Sequence, residues 1–253
     1  ECGHAILYGY TNVMGNTYKA RLECPCVTAR KEREQAELLA AGRLIARDYR
    51  GMAAGLSKRG RSQRFRNYAP EEGQKEAFEA ARAFAKAFIE NKHDGTGLLL
   101  IGGVGSGKSH LAAAVVNAVL DYIPMPDSEA DDAFRLGYPE GARRYSVRFV
   151  PTVGLLEEIR ASYDNQENAQ EIMQRYKAAK LDDMGAERPT EWVRERLFDI
   201  IDYRYNECLP TIITSNANIP ELRQHLGDRL CDRIRSMCKT ITVKAGSRRP
   251  TGD

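Results

Sequence analysis

Two regimes of apolar spacing divide this chain. From about residue 95 onward, short apolar runs alternate with helical patterns, which predicts an α/β fold built on a parallel sheet with crossover helices. The expected strands are Gly97–Ile101, 147 to 150, a short one ending at Leu181, 211 to 214 and 240 to 243. Upstream, helical spacing prevails. Residues 29 to 48 carry Leu38, Leu39, Leu44 and Ile45 at that spacing with charges opposite, as a docking or connecting helix would. Pro70 opens a second helix, 71 to 91, with Phe78, Ala81, Phe84, Ala85 and Phe88 on its core side. Near the C-terminus, 227 to 236 (GDRLCDRIRS) packs Leu230 and Ile234 and leaves Arg229 and Arg233 together on an accessible face. Residues 121 to 146, rich in Pro, Gly and acids, read as a surface insertion. Their own acid pair, Asp131 and Asp132, has no strand to position it.

Composition narrows the class. A chain of 253 residues can bury one full core and a small appendage. Its longest apolar runs, 97 to 101 and 111 to 116, fall far short of the roughly 20 residues a membrane span needs. With no secretory signal visible, a cytoplasmic protein without membrane partners is expected. The six cysteines then point to thiols or metal ligands rather than disulfides. Because the first residue is Glu rather than Met, the natural chain is expected to begin further upstream. Cys2, Cys24 and Cys26 flank a Tyr- and Gly-rich stretch that reads as a hairpin. They are either three of four ligands to a tetrahedral zinc, the fourth lying just ahead of Glu1, or surface thiols. His4 stands too close to Cys2 to share the site. Cys208, Cys231 and Cys238 are read as buried small hydrophobes. The net charge of +3 is mild but uneven: Lys58, Arg59, Arg61, Arg64 and Arg66 form either a solvated linker or a phosphate-contacting stretch.

One motif carries definite chemistry. Within LLLIGGVGSGKSHLAAAVV, residues 98 to 116, the pattern G-x-x-x-x-G-K-S follows a predicted strand and opens a predicted helix, the setting that separates a phosphate loop from a structural glycine turn. Gly103, Gly105 and Gly107 let backbone N–H groups turn toward phosphates, and the helix start aims its positive end at them. The binding set is Gly102, Gly103, Val104, Gly105, Ser106, Gly107, Lys108, Ser109 and His110. Lys108 reaches the β- and γ-phosphates of ATP or GTP, and Ser109 binds Mg²⁺.

Hydrolysis needs carboxylates at a neighbouring strand end. Asp182 and Asp183 in KLDDMGAERP are placed for it, Asp182 as metal partner and Asp183 as general base. The alternative is an acidic helix end, because Ile172, Met173, Tyr176 and Ala179 run at helical spacing toward the pair and Lys180 sits poorly in a covered strand. Asp183 is a methylene shorter than Glu, which predicts slow turnover. LPTIITSN, 209 to 216, ends a strand on Asn216, which could orient water near the γ-phosphate or simply cap a turn. Arg229 and Arg233 could reach a nucleotide held by an adjacent subunit, or be surface ion-pair partners.

Taken in order, GGVGSGKSHLA, VRFVPTVGLLEEIR, LDDMGAER, LPTIITSN and GDRLCDRIR resemble the AAA+ ATPases of bacterial replicative helicase loaders, the DnaC/DnaI type, over roughly residues 65 to 249. The order, more than any single motif, is shared only with the related IstB-type transposition ATPases. The resemblance implies an AAA+ P-loop NTPase fold at 67 to 253, a zinc-type module at 1 to 28 and a linker at 29 to 66. It assigns 102 to 109 to Walker A, Asp182 and Asp183 to Walker B, Asn216 to sensor 1, Arg233 to the arginine finger and Arg249 (or Arg248) to sensor 2. It further implies ATP, Mg²⁺ and zinc as cofactors, ATP hydrolysis stimulated by assembly or single-stranded DNA, a self-oligomer, and delivery of a hexameric replicative helicase onto single-stranded DNA. Arg160, Arg175 and Lys177 are candidate DNA contacts. The rival readings are an IstB-like transposition regulator and a nucleotide-dependent binding switch with little turnover. A Walker B strand poor in Val, Ile and Leu keeps the second alive.

Overall fold

The structure, a computed structural model, describes residues 7–13, 16–22, 25–89, 94–122, 147, 149–164, 180–182, 184 and 190–244. Cys2, His4, Cys24, most of the 121–146 insertion, Arg175, Lys177, Asp183, Arg248 and Arg249 lie outside these residues. The chain divides into two compact units, Glu1–Tyr49 and Arg50–Asp253.

In the first unit, β1 (Leu7–Val13) and β2 (Asn16–Leu22) pair antiparallel from Leu7↔Leu22 to Val13↔Asn16, so the expected hairpin is present. Helix α1 (Pro25–Ala53) starts four residues earlier and ends five later than its apolar spacing predicts, and it carries the division between the units. Its apolar stripe is there but uncovered: Leu38, Leu39, Leu44 and Ile45 are 75, 56, 65 and 69 % exposed.

The second unit is a three-layer α/β/α arrangement. Its strands are β3 (Gly97–Ile101), β4 (Phe149–Pro151), β5 (Lys180–Asp182), β6 (Ile212–Ser215) and β7 (Cys238–Thr242). They form a parallel sheet in the order β4-β5-β6-β3-β7. GLLLI is buried at every position because a central parallel strand is covered on both faces. Alternation then sorts its side chains. Leu98 and Leu100 face α3 (Lys75–Ile89) and α4 (Lys108–Tyr122), meeting Ala77, Ala81, Leu111 and Val115. Leu99 and Ile101 face α5 (Thr152–Asp164), α6 (Glu191–Asn206) and α8 (Asp228–Met237), meeting Leu155, Ile159, Leu197, Ile200 and Ile234. Each fully buried leucine contributes about 1.5–3 kcal/mol. Helix α7 (Ile219–Leu226) starts on a reciprocal cap, Asn218 accepting from Glu221 N–H and Glu221 from Asn218 N–H.

Four expectations need amendment. Strand β4 begins at Phe149 rather than 147 and ends on Pro151, a residue a sheet tolerates at its edge. Lys180 does lie in β5, where the backbone pairs with β4 while Leu181 registers with Ile213 of β6. Cys231 and Cys238 are buried, but Cys208 is exposed, because it turns the chain after α6 with φ of 49°. The basic stretch is no free tether: α2 (Lys58–Ser62) and the following 3-10 turn Phe65–Asn67 are tied to α4. Buried Asn117 donates to the Gly60 and Gln63 carbonyls at 2.9 and 2.6 Å, and Arg64 pairs with Asp121 at 2.9 Å. Lys58, Arg59 and Arg66 remain exposed.

Candidate nucleotide site

Strand β3 ends at the carboxyl edge of the sheet and delivers the chain into the loop 102 to 107, after which α4 begins at Lys108. Short strand, tight loop and helix start are the arrangement that presents backbone N–H groups to an anion. The loop takes left-handed backbone at Gly105 (φ 81°) and Gly107 (φ 100°). Gly103, expected to share that duty, has ordinary φ and open space around a hypothetical Cβ.

Lys108 is 5 % exposed and its Nζ spans the loop, donating to the carbonyls of Gly102 (2.7 Å) and Gly103 (2.8 Å) and to Asn216 Oδ1 (2.9 Å). Asn216 immediately follows β6, so two residues 108 positions apart in sequence meet at one ammonium. The end of β6 is itself anchored: Gly102 N–H bonds the Ser215 carbonyl at 3.3 Å, and Ser215 Oγ donates to the Met184 carbonyl at 2.6 Å. Met184 N–H in turn bonds the Thr214 carbonyl at 2.8 Å. These bonds hold the segment carrying the acid pair beside the loop. Leu181 registers with Ile213, and Ile213 with Leu99, so Asp182 comes to the same carboxyl edge as Leu100 and the phosphate loop. The backbone there is strand rather than helix end. Asp183 and the side-chain geometry of the pair fall outside what is described.

A cavity of about 430 Å³ opens against the loop, lined by Gly105, Gly107, Lys108 and Ser109, with Tyr68, Gln63 and Pro151 on its other walls. That volume is in the range of small-molecule sites. Ser109 is exposed and faces this space. His110 directs its ring to the Phe65–Asn67 turn, with Nε2 at 3.1 Å from Asn67 Oδ1 and 3.2 Å from the Arg64 carbonyl, and its ring edge-on to Tyr68. Its imidazole therefore props the wall of the site.

The two arginines of α8 are held within the chain. Arg233 makes a 2.7 Å ion pair with Asp202 of α6 that lacks hydrogen-bond alignment, and it lies 4.3 Å from the Tyr205 ring centroid. Arg229 sits 4.1 Å from the Phe198 centroid. The accessible face expected for them is thus partly closed by α6, although Leu230 and Ile234 are buried as expected. Arg160, on α5, stacks 5.0 Å from the Trp192 centroid. Of the zinc set, Cys26 alone has a described side chain, half-buried in the first turn of α1. Among the described residues no three His, Cys, Asp or Glu groups cluster as metal ligands.

Sequence reasoning missed Tyr68 and Gln74. Tyr68 is 4 % exposed, stacks on Phe78 and packs against Gly107. Gln74 is fully buried and bonds the loop itself at Ser106. The stretch NYAPEEGQ contains both, but nothing in its spacing points to the loop.

Comparison with known proteins agrees with this geometry. Residues 132–251 match the family model of the IstB-like ATP-binding proteins. That match lies downstream of the phosphate loop. The replicative helicase loader DnaC of Escherichia coli K12 is 25% identical over 176 residues, covering 68% of this chain and 62% of its own. The replicative helicase loader DnaI of Bacillus subtilis 168 is 26% identical over 187 residues, covering 68% and 53%. The crystal structure of the DnaC helicase loader superposes with a TM-score of 0.60 at 27% identity, over 74% of this chain and 100% of that one. The chain spans about half to three fifths of the length of the curated relatives it matches. No helix among the described residues is long and apolar enough to cross a membrane. The chain has the AAA+ P-loop NTPase fold, matches the IstB-like ATP-binding family model over residues 132–251, and is similar in sequence and structure to the DnaC/DnaI helicase loaders.

Proposed function

We propose that this protein is an ATP-dependent loader that delivers a hexameric replicative helicase onto single-stranded DNA. The observation that carries the reading is the 2.9 Å contact between Lys108 Nζ and Asn216 Oδ1, which joins the phosphate loop to the end of the adjacent strand in a fold shared with helicase loaders. In this reading the N–H groups of 102 to 109 and the start of α4 hold the phosphates of ATP. Phosphate oxygens take Lys108 over from the Gly102 and Gly103 carbonyls, and Asn216, released from the ammonium, orients water at the γ-phosphate. Asp183 accepts the water proton. The donor set fits a hard divalent cation, with Ser109 facing the cavity and Asp182 at the carboxyl edge of β5. Ser109 and Asp182 would hold Mg²⁺, which would supply positive charge to the phosphates.

Arg233 acts on the nucleotide of a neighbouring copy once it leaves Asp202, so assembly and hydrolysis are coupled. Arg249, or Arg248, serves as the sensor 2 arginine. Turnover is slow without assembly or DNA. Cys2, Cys24 and Cys26 form a zinc module together with a ligand upstream of Glu1; the hairpin β1–β2 supports this by lying between Cys2 and Cys24.

The test mixes the protein with its host's replicative helicase and scores ATP-dependent complex formation and loading onto single-stranded DNA. Binding to a transposase in place of the helicase would instead establish the IstB-like regulator, which the match over 132–251 favours as second reading.

A further inference from the structure

We infer that Gln74 is a positioning residue that sets the orientation of the phosphate loop. It lies in the 3-10 turn Glu72–Gln74, outside the loop motif, and its side chain is fully buried. Its Nε2 donates to the Ser106 carbonyl at 2.8 Å and its Oε1 accepts from Glu71 N–H at 3.0 Å. These partners admit one amide orientation only, since a carbonyl cannot donate and an N–H cannot accept.

The consequence follows from peptide geometry. The Ser106 carbonyl and the Gly107 N–H belong to one planar trans peptide and point in opposite directions. Drawing the carbonyl inward to buried Gln74 turns the Gly107 N–H outward, toward the side where the loop meets the cavity. Gly107, at φ of 100°, has a glycine's freedom to adopt other backbone states, so this external bond selects the productive one.

Gln74 is itself fixed from behind. Lys244 N–H donates to the Gly73 carbonyl at 3.0 Å, and a Cβ on Gly73 would fall 1.9 Å from the Lys244 oxygen, so the turn is pressed against the chain just past β7. A rigid relay therefore runs from the end of β7 through Gly73 and Gln74 to the peptide between Ser106 and Gly107. The inference rests on this loop binding nucleotide phosphates.

Gln74→Glu provides the test, with N-methylanthraniloyl-ATP and Mg²⁺ as the probe in fluorescence titrations from pH 8 to 5.5. At pH 8 the introduced carboxylate still accepts from Glu71 but faces the Ser106 carbonyl without a proton, and affinity should fall at least about tenfold, the weight of one good hydrogen bond. Burial raises a carboxyl above its ordinary value near 4.3, so lowering the pH restores the donor, and the ratio to wild type should recover. Gln74→Met keeps shape without hydrogen bonds and should lose about tenfold at every pH. Urea melts without nucleotide report whether each variant folds; if Gln74→Glu does not, Gln74→Met decides. Wild-type affinity in Gln74→Met, or a Gln74→Glu loss that does not recover with acid, overturns the role of Gln74 while leaving the nucleotide site standing. Failure of the wild-type protein to bind the probe overturns both.

Discussion

Replacing Gly107 by alanine tests how tightly the phosphate loop is built into the domain. At φ of 100° an L side chain is strained whatever space surrounds it, at about 1–3 kcal/mol. There is also little space: the new Cβ would lie 2.5 Å from the Tyr68 hydroxyl and 3.0 and 3.1 Å from its Cε2 and Cζ. Tyr68 cannot retreat easily, because it is 4 % exposed, stacked on Phe78 at 5.7 Å and flanked by His110 at 5.0 Å. Overpacking of this kind costs about 1–3 kcal/mol more, so the full effect should be about 2–6 kcal/mol. Urea denaturation measures it as a lower midpoint with unchanged slope. The two contributions separate in a double-mutant cycle with Tyr68→Ala, where the contact is gone and only backbone strain remains. The cost of Gly107→Ala should then drop to about 1–3 kcal/mol. Equal costs in both backgrounds, or a total below about 1 kcal/mol, would refute the packing described for this loop.

Other outcomes follow from the same contacts. Arg233→Ala should abolish assembly-stimulated ATP turnover while leaving nucleotide binding intact, and normal turnover would remove Arg233 from the mechanism; as a half-exposed ion pair it should cost stability about 1 kcal/mol at most. Asp183→Glu, which extends the proposed base toward its water, should raise steady-state turnover, and a fall in rate would count against Asp183 as the base. Burial pushes the Cys231 thiol up to about 11 and the Cys238 thiol up to about 12, so the native state holds protons that the unfolded chain releases near pH 9. Their stabilisation is complete below pH 9 and lost as pH rises, about 1.5 kcal/mol for the pair by pH 9.5, measurable by urea melts and absent from a flat profile. Arg204, lowered by burial to about 10, works in the opposite sense at still higher pH. Thiol labelling at neutral pH should lose one fast-reacting group in Cys208→Ser and none in Cys231→Ser.

How much could be read in advance depended on whether a signal was local. GLLLI is apolar throughout and became a fully buried strand over the residues expected, because a central parallel strand is covered on both faces, whereas the strand expected at 211 to 214 lies one residue later, at Ile212–Ser215, and buries Thr214 and Ser215 with its two isoleucines. The glycine and lysine spacing of the loop was equally plain. Strand β5 was nearly invisible: only three residues long, with Lys180 at its start, it is defined by its neighbours rather than by its own composition. The helical pattern of α1 was legible, but periodicity cannot say what a stripe packs against, and Leu38 and Ile45 stand exposed. Arg229 and Arg233 were correctly placed on one helix. The aromatic rings that receive them lie some 30 positions upstream, on α6. Gln74 shows the limit most sharply, since a single glutamine has no periodic signature and its partner sits 32 residues away.

The position of β3 in the sheet sets a timetable for making the protein. Its residues, 97 to 101, are hydrogen-bonded on one side to 212–215 and on the other to 238–242. A ribosome adding about 5–20 residues per second therefore completes the glycine loop many seconds before either flanking strand has left the exit tunnel. For that interval the most apolar strand of the domain has no edge partner, and ATP has no finished cradle to stabilise. The nascent chain must be shielded from completion of the glycine loop until residue 242 has emerged, and truncations between residues 107 and 242 should yield an insoluble product whatever the nucleotide concentration.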